Sequence, residues 1–180
     1  MKTGYIHKIC LALACALGTA SAAENTPAAD TSTSAVQAAP ETESPVIQVA
    51  LAIERHAANP AIQTTAAADD EKFHKLAEAE ISKLTTPESL FALAVLLYDG
   101  YREFFGTPFD RHMFAAQEMA VIHLARLGTE EAYSYFKALK SLHGRDGAGS
   151  MQFRVLEFRH FKQYSDDPKV INAKSDKEFI

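Results

Sequence analysis

Residues 86–150 read TPESLFALAVLLYDGYREFFGTPFDRHMFAAQEMAVIHLARLGTEEAYSYFKALKSLHGRDGAGS, and a hydroxyl side chain returns at regular intervals within this stretch. Thr86, Thr107, Thr129 and Ser150 are separated by 21, 22 and 21 residues. Threonine and serine are favoured helix N-caps, because their side-chain oxygens accept hydrogen bonds from the free N–H groups of the first turn. Each of these residues therefore predicts the start of one helix. The four predicted helices cover about residues 87–99, 108–127, 130–143 and 150–164.

Glycines support the same division. Gly106, Gly128 and Gly149 precede three of the caps, and Gly100 and Gly144 lie where helix C-caps are expected. Two successive helices with their turns span about 43 residues, and this unit occurs twice. The pattern therefore predicts two helical hairpins joined by short connections.

The segment before Thr86 adds a third pair of helices. Apolar residues repeat at helical spacing from Val46 to Ala57, and again from Phe73 to Leu84. No stretch alternates apolar and polar residues for long enough to predict a β-strand. The sequence therefore predicts an all-α fold of three helical hairpins.

Two arrangements of the three hairpins are compatible with this pattern. The period lies in the range of armadillo- and HEAT-type arrays, and the stretch Leu124–Ala132 resembles the turn of such a repeat. Antiparallel helices with short loops can also pack as an irregular bundle. The sequence predicts either a short HEAT/TPR-like array or a bundle.

The N-terminus has the pattern of a secretory signal peptide. Lys2 and Lys8 provide positive charge, an apolar run of about nine residues follows, and Ala20-Ser21-Ala22 matches the A-x-A cleavage site. The run is much shorter than the roughly 20 residues that span a bilayer. We therefore expect cleavage before Ala23 and a periplasmic or secreted protein.

Four segments are predicted along the chain. The signal peptide covers residues 1–22, and an Ala/Thr/Ser/Pro/Glu-rich leader, expected to be disordered, covers residues 23–44. The helical domain is expected over residues 45–165, and a flexible C-terminal tail over residues 166–180. No segment after the signal peptide is long and apolar enough to predict a transmembrane helix.

Signal cleavage removes certain kinds of chemistry. Cys10 and Cys15 are the only cysteines, and both lie in the signal peptide. The mature chain cannot form disulfides or use thiol catalysis. His112 and His123 lie on nearly the same predicted helix face, but a separation of 11 residues means a rise of about 16.5 Å, too far for one metal ion. No catalytic motif, metal site or cofactor site is predicted.

Two features indicate a binding surface. Five aromatic residues lie between Tyr98 and Phe109, and basic residues dominate residues 137–162 of an acidic chain with net charge −5. Aromatic residues and arginine are enriched at binding hot spots, and a basic surface attracts acidic partners. The predicted partner-binding residues are Tyr101, Arg102, Phe104, Phe105, Arg145, Arg154 and Arg159.

These features favour a non-enzymatic protein that binds another protein, acidic in character, in the cell envelope. Immunity to a toxin, inhibition of a hydrolase and assistance in envelope assembly all fit a small exported helical protein. Nucleic acid is not expected, because the chain is acidic and carries an export signal. The alternative is a small envelope hydrolase with a Glu/His site between helices, for which His112, Glu118 and His123 are the candidates.

Overall fold

A computed structural model describes residues 44–61, 67–103, 106, 110–143 and 150–179 of the 180-residue chain. The predicted signal peptide and residues 23–43 of the predicted leader lie outside these ranges. Three of the predicted binding residues, Phe104, Phe105 and Arg145, also lie outside them.

The described residues form helices and connecting turns, with no strand among them, which confirms the all-α class. The helices are α1 (Pro45–Ala57), α2 (Ala67–Ile81), α3 (Pro87–Glu103), α4 (Asp110–Arg126), α5 (Glu130–His143), α6 (Ser150–Phe161) and α7 (Pro168–Asn172), and a 3₁₀ helix covers Asp176–Phe179. No helix in the described part of the chain has both the length and the apolar character needed to cross a bilayer.

Two of the predicted helix caps are confirmed by their hydrogen bonds. The backbone N–H of Ser89 donates to Thr86 Oγ1 at 3.3 Å, and that of Ala132 donates to Thr129 Oγ1 at 3.1 Å. Gly128 precedes the second cap with φ of 63°, a left-handed conformation that glycine adopts without steric cost. These turns form as predicted because the interactions that define them are local in sequence.

The predicted end of α3 at Gly100 is wrong. The helix continues to Glu103, so Tyr98, Tyr101 and Arg102 belong to its last turns rather than to a connector. Gly100 is buried, and a Cβ atom at this position would lie 3.0 Å from Met113 Cε on α4. The glycine therefore permits close approach of two helices instead of ending one.

Helix α4 is central to the hydrophobic core. It makes its most extensive contacts with α3, and it also contacts α1, α2, α5 and α6. Met113, Ala116, Ala120 and Leu124 are almost completely buried along one side of α4. Residues spaced three and four apart lie on one helix face, so the periodicity of the sequence accounts for this packing.

Contacts also run between corresponding helices of successive hairpins. Helix α3 contacts α1 and α5, and α4 contacts α2 and α6. Contacts of this kind occur in short helical arrays and in irregular bundles alike. The all-α class is therefore shown, and the arrangement of three hairpins stays a prediction.

The residues after α6 pack against it. We call residues 165–179 the C-terminal segment; it contains α7 and the 3₁₀ helix. Val170 is fully buried and Ala173 is 3% exposed, while the Phe179 ring centroid lies 6.0 Å from that of Phe158 on α6. The sequence predicts a flexible tail here, and the structure places these residues on the surface of the helical domain.

Candidate interaction surface

The described cations of the predicted basic hairpin lie on α5, on α6 and directly after α6, and we call them the basic face. They are Lys137, Lys140, Arg154, Arg159 and Lys162. The side chains of Lys137 and Arg159 are 47% and 54% exposed, so the ends of the face are open to solvent. Basic residues were predicted on this hairpin from the sequence, but the groups that oppose them were not.

Aspartates of the C-terminal segment pair with both ends of the basic face. Lys137 Nζ donates to Asp166 Oδ2 at 2.5 Å. Arg159 Nε donates to Asp176 Oδ2 at 2.7 Å, and its Nη2 donates to the same oxygen. These two pairs connect α5 and α6 to opposite ends of the C-terminal segment.

The middle of the basic face is arranged around Asp167. Its Oδ2 lies 3.7 Å from Arg154 Nε and 3.8 Å from Lys140 Nζ. Lys162 Nζ donates to the carbonyl oxygen of Ala173 at 2.6 Å and lies 4.7 Å from the ring centroid of Phe158. All five cations of the face therefore contact the C-terminal segment.

The cations at the two ends of the basic face lower the pKa values of the aspartates that pair with them. The hydrogen bond from Lys137, with the charge of the same ammonium, lowers the pKa of Asp166. The hydrogen bond from Arg159 lowers the pKa of Asp176 in the same way. Opposite charges favour the ionised carboxylate, so both groups stay charged to lower pH than an isolated aspartate.

A buried carboxylate lies beneath this surface. Glu157 on α6 is 1% exposed and accepts hydrogen bonds from Tyr133 Oη at 2.9 Å, Ser165 Oγ at 2.6 Å and Lys140 Nζ at 2.5 Å. Burial raises the pKa of Tyr133 to about 12, and the hydrogen bond to Glu157 contributes to the rise. A buried charge is costly unless it is paired and hydrogen-bonded, and here both conditions are met.

An open cleft of about 700 Å³ adjoins the basic face. Arg154 and Lys169 line it with positive charge, Glu178 lines it with negative charge, and Phe179 contributes an apolar wall. The Glu178 carboxylate accepts hydrogen bonds from the backbone N–H groups of Lys174 and Ser175 at 2.8 and 3.3 Å. Arg154, which also lies beside Asp167, and Lys169 are the cations of the cleft, and Glu178 is its carboxylate.

Only part of the predicted binding surface can be located. Arg102 is exposed, with its guanidinium 5.9 Å from the ring centroid of Tyr98, whereas Arg154 and Arg159 contact the C-terminal segment. The backbone of Tyr101 is helical, and its side chain lies outside the described residues. Arg102 lies in the last turn of α3, whereas Arg154 and Arg159 lie on α6.

The candidates for a hydrolytic site lie in three separate environments. His112 is buried, with its ring centroid 4.5 Å from that of Phe73 and its Nε2 3.3 Å from Asp70 Oδ1. Neither nitrogen of this ring has a hydrogen-bond partner within the described residues. Burial lowers the pKa of His112, and the nearby Asp70 carboxylate opposes that effect without overcoming it.

The other two candidates contact different groups. Glu118 lines a slot of about 30 Å³ beside Phe114 and Phe153, and burial raises its pKa. His123 Nε2 lies 2.9 Å from Glu78 Oε1, so its partner is on α2 rather than on its own helix. Within the described ranges, no three side chains of the metal-ligand types converge on one point.

The roles of Glu157 and of two aspartates of the C-terminal segment were not predicted from the sequence. Glu157 lies four residues after Phe153 and four before Phe161, on the buried stripe of α6, and this spacing could have identified it as a buried charge. The Asp166 and Asp176 contacts carry no local signal, because their partners are distant in sequence.

Comparison of the chain with known protein families, with curated proteins and with solved structures gave no match.

Proposed function

We propose that this is an exported, periplasmic helical protein that binds another protein and is not an enzyme. The export proposal rests on the signal-peptide pattern of residues 1–22. The binding proposal rests on one observation above all: the basic face of α5 and α6 holds a peptide segment through its aspartates. A surface that accommodates carboxylates in this way suits an acidic partner.

The cleft supports the same proposal. It combines Arg154 and Lys169 with the aromatic ring of Phe179, so one site offers positive charge together with an apolar contact. Protein interfaces commonly combine an aromatic or arginine anchor with a polar rim. From the sequence, we also propose Tyr101, Arg102, Phe104, Phe105 and Arg145 as partner-binding residues.

For the arrangement of the domain, we propose three helical hairpins, packed as a short array or as an irregular bundle. The contacts of α3 with α1 and α5, and of α4 with α2 and α6, are compatible with both arrangements. In an array, each hairpin stacks on its neighbour and leaves extended faces for binding. Two roles fit such a surface. The protein could inhibit, or give immunity to, another protein, or it could assist in envelope assembly.

Recovery of the protein from the periplasm tests the proposal. An affinity tag placed just after the predicted cleavage site leaves the C-terminal segment free, and mild cross-linking retains partners during purification. We expect one stoichiometric partner, which is lost when Tyr101, Phe104 and Phe105 are replaced by alanine in a variant with unchanged circular dichroism. Export of the protein without any such partner would contradict the proposal.

A second candidate function, hydrolysis, is supported by the contact of His123 with Glu78 between α2 and α4. A histidine paired with a carboxylate can act as a general base. Purified protein would then cleave cell-wall substrates, and His123→Gln would abolish the cleavage. Absence of cleavage by the wild-type protein would exclude this candidate for those substrates.

A further inference from the structure

We propose that the basic face binds an acidic segment of the partner protein in exchange for the aspartates of the chain's own C-terminal segment. This inference rests on the proposed function, and it adds the surface, the chemistry of the partner and an internal competitor. The C-terminal segment is then an intramolecular ligand of the basic face and competes with the partner.

The first support is charge complementarity. Lys137 and Arg159 each form an ion pair with one aspartate, and Arg154 lies beside a third, Asp167. The C-terminal segment also carries Lys169, Lys174 and Lys177, so its overall charge is almost balanced. A partner segment with the aspartates and without the lysines would complement the basic face better.

The second support is the exposure of the Lys137–Asp166 pair, one of the two ion pairs that must exchange; in the other pair the Asp176 side chain is 25% exposed. The Asp166 side chain is 74% exposed and its partner Lys137 is 47% exposed. Ion pairs between exposed side chains add little net stability, because water and salt screen them and two long side chains must be ordered. A competing carboxylate can therefore replace Asp166 without exposing any part of the core.

The third support is the cleft, which provides a place for the incoming chain before exchange. Its volume of about 700 Å³ is open beside Arg154 and Lys169, next to the contacts of Asp167. The buried pair of Lys140 with Glu157 does not need to change, because Glu157 already satisfies that ammonium. Val170 also stays buried, so exchange involves the ends of the segment and not its apolar centre.

The test uses the full mature chain and a double variant, Asp166→Asn/Asp176→Asn, which frees Lys137 and Arg159. The probe is a fluorescein-labelled peptide with the sequence of residues 164–180, and its binding is followed by fluorescence anisotropy. We expect the variant to bind the probe about tenfold more tightly than the wild type, because occlusion in cis reduces the competent fraction. A probe whose three lysines are replaced by glutamine should bind more tightly still.

The matched control is Glu71→Gln/Glu88→Gln, which changes the net charge by the same amount on exposed parts of α2 and α3. This control should bind the probe as weakly as the wild type does. A probe with asparagine in place of Asp166, Asp167 and Asp176 should not bind any of the proteins. Equal affinity of the double variant and the wild type, with both folded by circular dichroism, would overturn the proposal.

Two further outcomes separate this inference from the proposed function. If the stoichiometric partner is recovered equally well by Lys137→Glu/Arg159→Glu, the protein binds a partner, but this surface is not the site and the inference is overturned. Light scattering can also show that the double variant forms a dimer and that the probe dissociates it. The basic face would then bind a second copy of the chain, and the proposed exchange with a partner protein would be wrong.

Discussion

Glu157 is a buried carboxylate whose three hydrogen-bond donors come from two other parts of the chain. Tyr133 and Lys140 lie on α5, 24 and 17 residues away, and Ser165 begins the C-terminal segment. The side chain thus joins α5, α6 and the C-terminal segment at one point. Its helical spacing with Phe153 and Phe161 is readable from the sequence, but its partners are not, because they depend on how the helices pack.

Removal of one donor should destabilise the domain. Tyr133→Phe keeps the ring and removes the hydroxyl that Glu157 accepts, and hydrogen bonds to charged groups contribute about 1.5–3 kcal/mol. We expect the free energy of unfolding in urea to fall by about that amount. The control is Tyr135→Phe on the same helix, where the ring packs on Phe91. Equal losses from both variants would contradict the assigned role of the Tyr133 hydroxyl.

Glu118 is a carboxyl group in an environment that disfavours its charged form. Burial raises the pKa of Glu118 in the folded protein, so its carboxyl group stays protonated to higher pH in the folded state than in the unfolded chain. The stability of the wild type should therefore fall as pH rises from the ordinary glutamate value through the higher folded value. Glu118→Gln should remove this loss and raise the stability at pH 7 by up to about 1 kcal/mol. Thermal unfolding of both proteins at pH 4 and pH 7 measures the effect, and a larger advantage of the variant at pH 4 would contradict it.

At the scale of helices, two caps that depend only on neighbouring residues were predicted correctly, and the role of one glycine that depends on another helix was not. The caps at Thr86 and Thr129 involve residues three positions apart, so the sequence contains all the information needed to predict them. The role of Gly100 depends on Met113 of the neighbouring helix, and a glycine near a helix end looks the same whether it ends the helix or permits close packing. The prediction for α3 failed for this reason.

Substitutions at Gly100 should depend on side-chain size. Gly100→Ala gains helix propensity of about 1 kcal/mol, which the required shift of the flexible Met113 side chain offsets, so we expect little change in stability. Gly100→Leu should separate α3 from α4 and cost about 1–3 kcal/mol by overpacking. Denaturant unfolding of the two variants measures the difference. A stable Gly100→Leu protein would show that the helices do not pack closely here.

At the scale of the whole molecule, the C-terminal segment links the last two long helices. Acidic and basic residues were both visible in the sequence, and the basic hairpin was identified from them. The pairing of Lys137 with Asp166 and of Arg159 with Asp176 spans 29 and 17 residues, and no periodicity connects such positions. The basic face was therefore predictable from the sequence, and the C-terminal segment that pairs with it was not.

These pairs should be visible in a carboxyl titration by nuclear magnetic resonance. Lys137 lowers the pKa of Asp166, and Arg159 lowers that of Asp176, so both carboxylates should titrate below the ordinary aspartate value of about 3.9. Their contribution to stability is present above the unfolded pKa and is lost as pH falls through the folded pKa. Lys137→Ala should return Asp166 toward the ordinary value and leave Asp176 unchanged. An Asp166 pKa that does not respond to this substitution would show that the pair does not form.

Site-specific photocross-linking in the periplasm tests the central claim most directly. A photoreactive amino acid replaces Lys169 at the cleft in one protein, and in the other it replaces Lys75, an exposed residue of α2. We expect an adduct with one partner from the position of Lys169, which is lost with Lys137→Glu/Arg159→Glu, and none from the position of Lys75. Adducts of equal yield from both positions, or none from the cleft when both proteins accumulate normally, would contradict the proposed binding of a partner at this surface.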